Sequence, residues 1–209
     1  MKSNKYLKPI IALVLVGTMA IGGSLAYITA NTDEISNEFV FAHSGSEGEI
    51  LSVDLTEEFL GTDGEVATES QDGAIRTAKF LPGDTLTKQA QVSLPTNELS
   101  SGAKVYIRVD TSAMTDNFDI SEFVVDSSVW EKIDGYEDLY KKIVDAPAGP
   151  MEAIDVFSST EILVSSDIDI SATITDKIII DAFAIQAANI SDADAITEAA
   201  VALGATATV

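Results

Sequence analysis

A mainly β fold, an antiparallel jelly roll or β-sandwich with short helical elements including one C-terminal helix, is what this sequence predicts, and three observations predict it. Short stretches of period-two alternation recur along the chain, which puts apolar side chains on one face of a strand and polar ones on the other. Gly, Pro and Asp-Gly turn signals separate these stretches. Only the C-terminal stretch spaces its apolar residues as a helix does, so sheet-on-sheet packing is the way left to bury the apolar faces.

The first strand is expected over residues 50–55, where Ile50, Ser52 and Asp54 alternate with Leu51, Val53 and Leu55, and Gly61-Thr62-Asp63-Gly64 turns the chain after it. Lys79-Phe80-Leu81 leads into Pro82-Gly83-Asp84, with Pro and Gly at the central positions of a type II turn, and extended chain resumes over 85–94. Residues 103–109 set Val105, Ile107 and Val109 against Lys104, Tyr106 and Arg108, the pattern of a half-buried strand with a polar outer face. Residues 124–133, Asp134-Gly135 and residues 136–144 read as a hairpin around a type I′ turn, although Tyr136, Leu139, Tyr140 and Ile143 also share a helix face. Over 162–174, Ile168, Ile170, Ala172 and Ile174 alternate with Asp167, Asp169, Ser171 and Thr173, and 177–188 is apolar on both faces, as a central strand is. Ser191 as N-cap, Asp194 three residues on, Ala193, Ile196, Ala200 and Leu203 at helical spacing, and Gly204 past the end define the helix.

Before these elements come Lys2, Lys5 and Lys8, an apolar run over 10–21, and Gly22-Gly23-Ser24-Leu25-Ala26. This is the pattern of an export signal, with Ser24 and Ala26 as the small residues that a signal peptidase requires and Tyr27 as the first residue after the cut. The competing reading is an uncleaved anchor, since residues 10–28 give about nineteen apolar-rich positions, near the lower limit for spanning a bilayer; Gly22-Gly23 breaks the helix that an anchor needs. Residues 1–26 are therefore expected as a signal peptide and 27–209 as a single secreted domain, in contact with a membrane only during export. Loss of the three signal lysines leaves 9 basic against 34 acidic side chains, a net charge of −25. Such a chain repels phosphate backbones, which excludes nucleic acid as a partner. The absence of cysteine excludes disulfides, thiolate ligands and cysteine nucleophiles.

Four segments in order resemble the TasA/camelysin family of secreted matrix proteins. They are Gly22-Gly23-Ser24-Leu25-Ala26-Tyr27-Ile28 with Asn37-Glu38-Phe39 downstream; residues 81–88, Leu-Pro-Gly-Asp-Thr-Leu-Thr-Lys, before Val105-Tyr106-Ile107-Arg108-Val109; Trp130 with Gly135-Tyr136; and Asp181-Ala182-Phe183-Ala184-Ile185-Gln186-Ala187. The resemblance implies a signal peptide processed by a dedicated SipW-type signal peptidase. It also implies a jelly-roll subunit that assembles into extracellular fibres of Gram-positive biofilms, in the matrix or at the cell surface, with itself and with accessory matrix proteins. Two departures stand out: Phe39 is followed by Val40-Phe41-Ala42-His43-Ser44-Gly45 where family members often have an early Gly, and the helix ends the chain without a polar tail.

Camelysin-type relatives have been classed as metalloendopeptidases, so a secreted metalloendopeptidase is one alternative function and a monomeric adhesin or accessory fibre protein another. His43 is the one histidine, and a catalytic zinc site ordinarily needs two imidazoles or cysteine partners, so no catalytic residue and no cofactor is assigned. Asp167, Asp169 and Asp176 are weak calcium candidates, as is Asp63 with Glu65, set against the plainer reading of a solvated acidic face. Among 34 carboxylates no spacing singles out an acid–base dyad. Leu94-Pro95-Thr96-Asn97 lacks the features of a sortase signal. The remaining candidate is the N-terminus itself: Tyr27, Ile28, Thr29, Ala30, Asn31 and Thr32, within a segment 27–36, have the extended propensity of a donor strand that adds to an open sheet edge of another subunit, against the alternative of a frayed end.

Overall fold

The computed structural model describes residues 29–31, 50–61, 68–69, 76–77, 80–169, 174 and 176–208. In chain order its strands are β1 (Thr29–Asn31), β2 (Asp54–Leu60), β3 (Thr68–Glu69), β4 (Arg76–Thr77), β5 (Thr85–Leu94), β6 (Ala103–Asp110), β7 (Phe118–Asp119), β8 (Trp130–Lys132), β9 (Leu139–Lys142), β10 (Met151–Asp155), β11 (Glu161–Val164) and β12 (Ile179–Gln186), followed by the helix α1 (Asp192–Leu203). The first sheet runs β1-β12-β6-β9-β8, all antiparallel. In the second sheet β5 is the hub: β2 pairs along one edge, β10 and β11 share the other, and β7 follows β11. β3 and β4 form a separate two-stranded ribbon.

Alternation in β5 is what joins the sheets. Leu86, Ala90, Val92 and Leu94 point inward, and with Leu51, Val53 and Leu55 they pack against Val105, Ile107, Ile180, Ala182 and Ala184 of the first sheet. Trp130 closes this core and its indole N–H donates to the Asp155 backbone oxygen at 2.9 Å, so the largest core side chain also ties the two sheets by a satisfied polar atom. Lys88 stands in the same inward row, 3.1 Å from Glu57 Oε2 and with its ammonium 5.5 Å from the centre of the Phe59 ring. The β-sandwich and the terminal helix agree with the sequence pattern, down to Ser191 accepting from the Asp194 N–H and Gly204 at φ 61°. At 81–84 the expected type II turn is present, with Asp84 N–H donating to Leu81 O and φ 85° at Gly83.

Several expectations need correction. The outer face of β6 is not solvated: Lys104 and Tyr106 are buried, because α1 lies across it and builds a second core of Tyr106, Leu139, Phe183 and Ile185 under Ala195, Ala199, Ala200 and Leu203. The helix consequently buries Ala195 and Ala199, while Ala193 is exposed. The hairpin around Asp134-Gly135 is shorter than expected and does not use a type I′ turn. Only Gly135 has positive φ, Tyr136 N–H reaches Ile133 O, and the chain needs all of 133–138 to return, because Ile133 is drawn into the second core and the turn pairs with the C-terminal segment. Upstream of it, residues 124–129 make one isolated bridge, Val125 to Phe157, and a turn on Asp126 rather than a strand. The strand expected over 162–174 stops at Val164, where Ser165 N–H turns to Asn117 O, and 170–173 lie outside the described residues. The first strand is displaced to Asp54–Leu60, with Leu51 bridging Asn97 ahead of it.

Candidate strand-addition site

β12 is the strand that receives the N-terminal segment. Its apolar run pairs with β6 through all eight residues on one edge. On the other edge β1 pairs antiparallel, Thr29 opposite Ile185, Ala30 opposite Ala184 and Asn31 opposite Phe183. Among the described residues no strand pairs with that edge over 179–182, and β2 of the second sheet lies alongside β12 on this side of the sandwich. Of the six residues expected as a donor strand, Thr29, Ala30 and Asn31 are therefore found on this chain's own sheet. Tyr27, Ile28 and Thr32, like Ser24 and Ala26 of the cleavage motif, lie outside the described residues, as do His43, Asp63 and Glu65.

Two cores fix β12 whatever its outer edge carries. Ala182 and Ala184 are fully buried between the sheets, and Phe183 and Ile185 are buried beneath α1. Among the described residues β1 brings three residues of pairing, and each ladder hydrogen bond is worth about 0.5–1.5 kcal/mol net.

One charged cluster adjoins this edge. Arg108, opposite Asp181 in the ladder, directs Nε to Asp138 at 2.8 Å, Nη2 to Asp110 at 2.9 Å and Nη1 toward Asp181 at 3.5 Å. Burial opposes the guanidinium's charge, but the Asp138 hydrogen bond and the three carboxylates outweigh it and raise the Arg108 pKa further. Hydrogen bonding from Ser112, helped by Arg108 and Lys177, holds Asp110 below the usual carboxylate range against its partial burial. Asp138 also accepts the Thr206 N–H at 2.8 Å, so the cluster fastens the C-terminal segment to the sheet. On the same face Lys104 pairs with Asp192 and lowers its pKa, while burial, then Asp192 and Asp145, push the Tyr106 phenol up.

The sequence pattern missed this cluster, although a signal was there. Asp181 interrupts the run Ile178-Ile179-Ile180 and Ala182-Phe183, and a carboxylate in a strand apolar on both faces needs a cation. Arg108 is one of two arginines in the chain. Asp138 could not be found that way, because it arrives from the irregular 133–138 loop.

The calcium candidates do not converge. Asp176 accepts from Thr115 N–H and Oγ1 at 2.6 and 2.7 Å and clamps the 115–117 loop, while Asp167 N–H turns back to Ser165. Among the described residues no group of three or more His, Cys, Asp or Glu side chains is placed to hold a metal ion. A shallow cleft of about 440 Å³ is lined by Pro95, Thr96, Asn97, Glu98, Ala148, Gly149 and Pro150. Asn97 is buried there as a fold element, its amide donating to Pro147 O at 2.8 Å, so the Leu94-Pro95-Thr96-Asn97 stretch is structural. Compared with protein-family models, with curated proteins and with solved structures, the chain finds no match.

Proposed function

We propose that the chain is a secreted structural subunit that assembles into extracellular fibres of a biofilm matrix, by adding the N-terminal segment of one copy as a strand to the sheet of the next. The observation that carries this reading is the pairing of Thr29–Asn31 with the outer edge of β12. A three-residue strand on an edge fixed from both faces can be replaced by the same segment of a neighbour, which makes the same main-chain bonds and extends further. The side chains of Tyr27-Ile28-Thr29-Ala30-Asn31-Thr32 carry no charge and cleavage after Ala26 would leave a cationic α-amino group on Tyr27, so the segment approaches an acidic subunit without the repulsion its other surfaces meet. Export and cleavage after Ala26 by a SipW-type peptidase would free this segment, and accessory matrix proteins sharing it would join the same fibre.

Electron microscopy of the chain beginning at Tyr27, beside one beginning at Asp33, tests this. Filaments from the first and folded monomers from the second are expected, with folding checked by far-UV circular dichroism. Because truncation removes β1, Ile28→Asp serves as the milder variant and should weaken assembly with the fold kept. Ordinary filaments from the truncated chain would rule out strand addition. Monodisperse particles from the intact chain at every salt concentration would favour the monomeric adhesin instead.

A further inference from the structure

The cations of this acidic chain are distributed unevenly. Lys88, Lys104 and Arg108 are held in or beside the cores against carboxylates, and Lys177 lies near Asp110. The other three described lysine side chains, Lys132, Lys141 and Lys142, share the β8–β9 hairpin at the edge of the first sheet. Lys132 lies opposite Tyr140 and Lys142 opposite Trp130, so both leave the hairpin on one face. Glu131 compensates Lys141 at 3.3 Å, while Lys132 and Lys142 have no carboxylate within ion-pair distance among the described residues. The Lys142 ammonium donates to Val144 O at 2.9 Å, which holds the charge beside Ile143 and Val144, 49 % and 66 % exposed. The hairpin therefore presents positive charge and apolar surface together. The outer face of the second sheet is its complement. The strands of that sheet contain one cation, Lys88, and its side chain points inward. Register places Glu58 opposite Gln89, Glu161 opposite Thr87, and Leu163 between Thr85 and Asp119, all on the outer side with Asp155. Leu163 is 47 % exposed there, an apolar residue among carboxylates.

From these two patches we infer that the β8–β9 hairpin of one copy docks on the outer face of the second sheet of another, Lys132 and Lys142 meeting the carboxylates around Glu58 and Glu161 while Ile143 and Val144 cover Leu163. Opposite charges across a contact steer the encounter and fix its register, and the apolar groups leave water in the same step. A chain whose net charge repels its own copies thereby gains one attractive orientation. The patches lie on different sheets, so the contact is heterologous: each copy keeps a patch free for the next, and the contact can repeat. That the occupant is a second copy rests on the fibre reading above, to which the docking adds a second junction placed by charge.

Sedimentation velocity over a concentration series, in the chain beginning at Tyr27 and carrying Ile28→Asp, reads this contact apart from strand addition. Lys132→Glu with Lys142→Glu should lower the association constant about tenfold or more, since two exposed ion pairs turn from attraction to repulsion. K132Q/K142Q, which removes the charges without reversing them, should fall between. Glu58→Lys with Glu161→Lys should also weaken association, although it brings the net charge nearer zero, a change that would strengthen association if overall repulsion alone governed it. An equimolar mixture of the two charge-reversed variants should recover association, because each reversed patch then faces a reversed partner. Far-UV circular dichroism checks that each variant keeps the fold. Association that is absent from the Ile28→Asp chain, unchanged by K132E/K142E, strengthened by E58K/E161K or not recovered in the mixture overturns the docking. If association follows these patches while the chain beginning at Tyr27 without Ile28→Asp forms no filaments, the fibre reading fails and the docking stands.

Discussion

The central strands of the two sheets handle their outer faces in opposite ways. β5 keeps Thr85, Thr87, Gln89, Gln91 and Ser93 toward solvent, and the one feature on that row is Asp155 accepting from both glutamine amides, at 3.0 and 2.9 Å. β6 has Lys104, Tyr106 and Arg108 on the corresponding face, all beneath or beside α1, with each charge compensated by name. A sheet covered on one side can leave its other side polar at no cost. A sheet covered on both sides must pair every charge it retains. The doubly covered sheet is the one that carries β1, so the burial of β12 on both faces and the buried charges beside it have a common origin in the helix.

Removing Arg108 should break this arrangement most severely. Arg108→Met leaves Asp138 and Asp181, each less than a tenth exposed, without their cation, and breaking a buried pair from one side costs about 3–5 kcal/mol. The midpoint of urea unfolding should fall with an unchanged slope; an unfolding free energy within about 0.5 kcal/mol of the parent's, on the order expected of a surface change, would show that the cluster carries no stability. The matching test in the second sheet is Lys88→Met, which removes the ammonium beside the buried Glu57 carboxylate and should cost about 3 kcal/mol, the lower end of that range. Adding Glu57→Leu should restore stability to the parent's level or above it, since apolar replacement of both partners of a buried pair is often neutral or stabilising. A double variant no better than Lys88→Met would show that the charge left on Glu57 is not what destabilises the single variant.

Legibility followed the range of the interactions. β5 and α1 could be read almost to the residue because their signals are local: a Pro-Gly turn and strict alternation for one, Ser191 and Gly204 for the other. The face of β6 could not, because Lys104, Tyr106 and Arg108 have the composition of a solvated face and only a helix some ninety residues later makes it interior. The Asp134-Gly135 turn failed for a related reason, since the pull of Ile133 into the second core and the C-terminal segment pairing at Tyr136 override the dipeptide's preference. At the candidate site, the extended propensity of residues 27–32 was legible, and Thr29–Asn31 are found as a strand on this chain's own sheet. The register of that strand on β12 depends on pairing across about 150 residues, which no local pattern encodes.

Acid should separate the two sheets by the smallest margin, because the carboxylates concerned are partly solvated and screened. Asp110 is held below its unfolded value of 3.8 by hydrogen bonding from Ser112, and Asp192 by its hydrogen bond and charge interaction with Lys104. A carboxylate whose folded pKa is depressed binds fewer protons folded than unfolded, so its stabilisation is fully present above about pH 4 and is lost as pH falls through the depressed folded values. Both groups belong to the helix-covered side of the first sheet. Amide exchange, corrected for its intrinsic pH dependence, should therefore show the start of α1 and the outer half of β6 losing protection below pH 3.8 before the middle of β5 does. Asp192→Asn should remove the part of this acid sensitivity that lies at the helix start and leave the part at Asp110 in place. If the helix start loses protection at the same pH with and without that carboxylate, the Lys104 pair is not what responds to acid, and the contrast between the sheets there comes from packing alone.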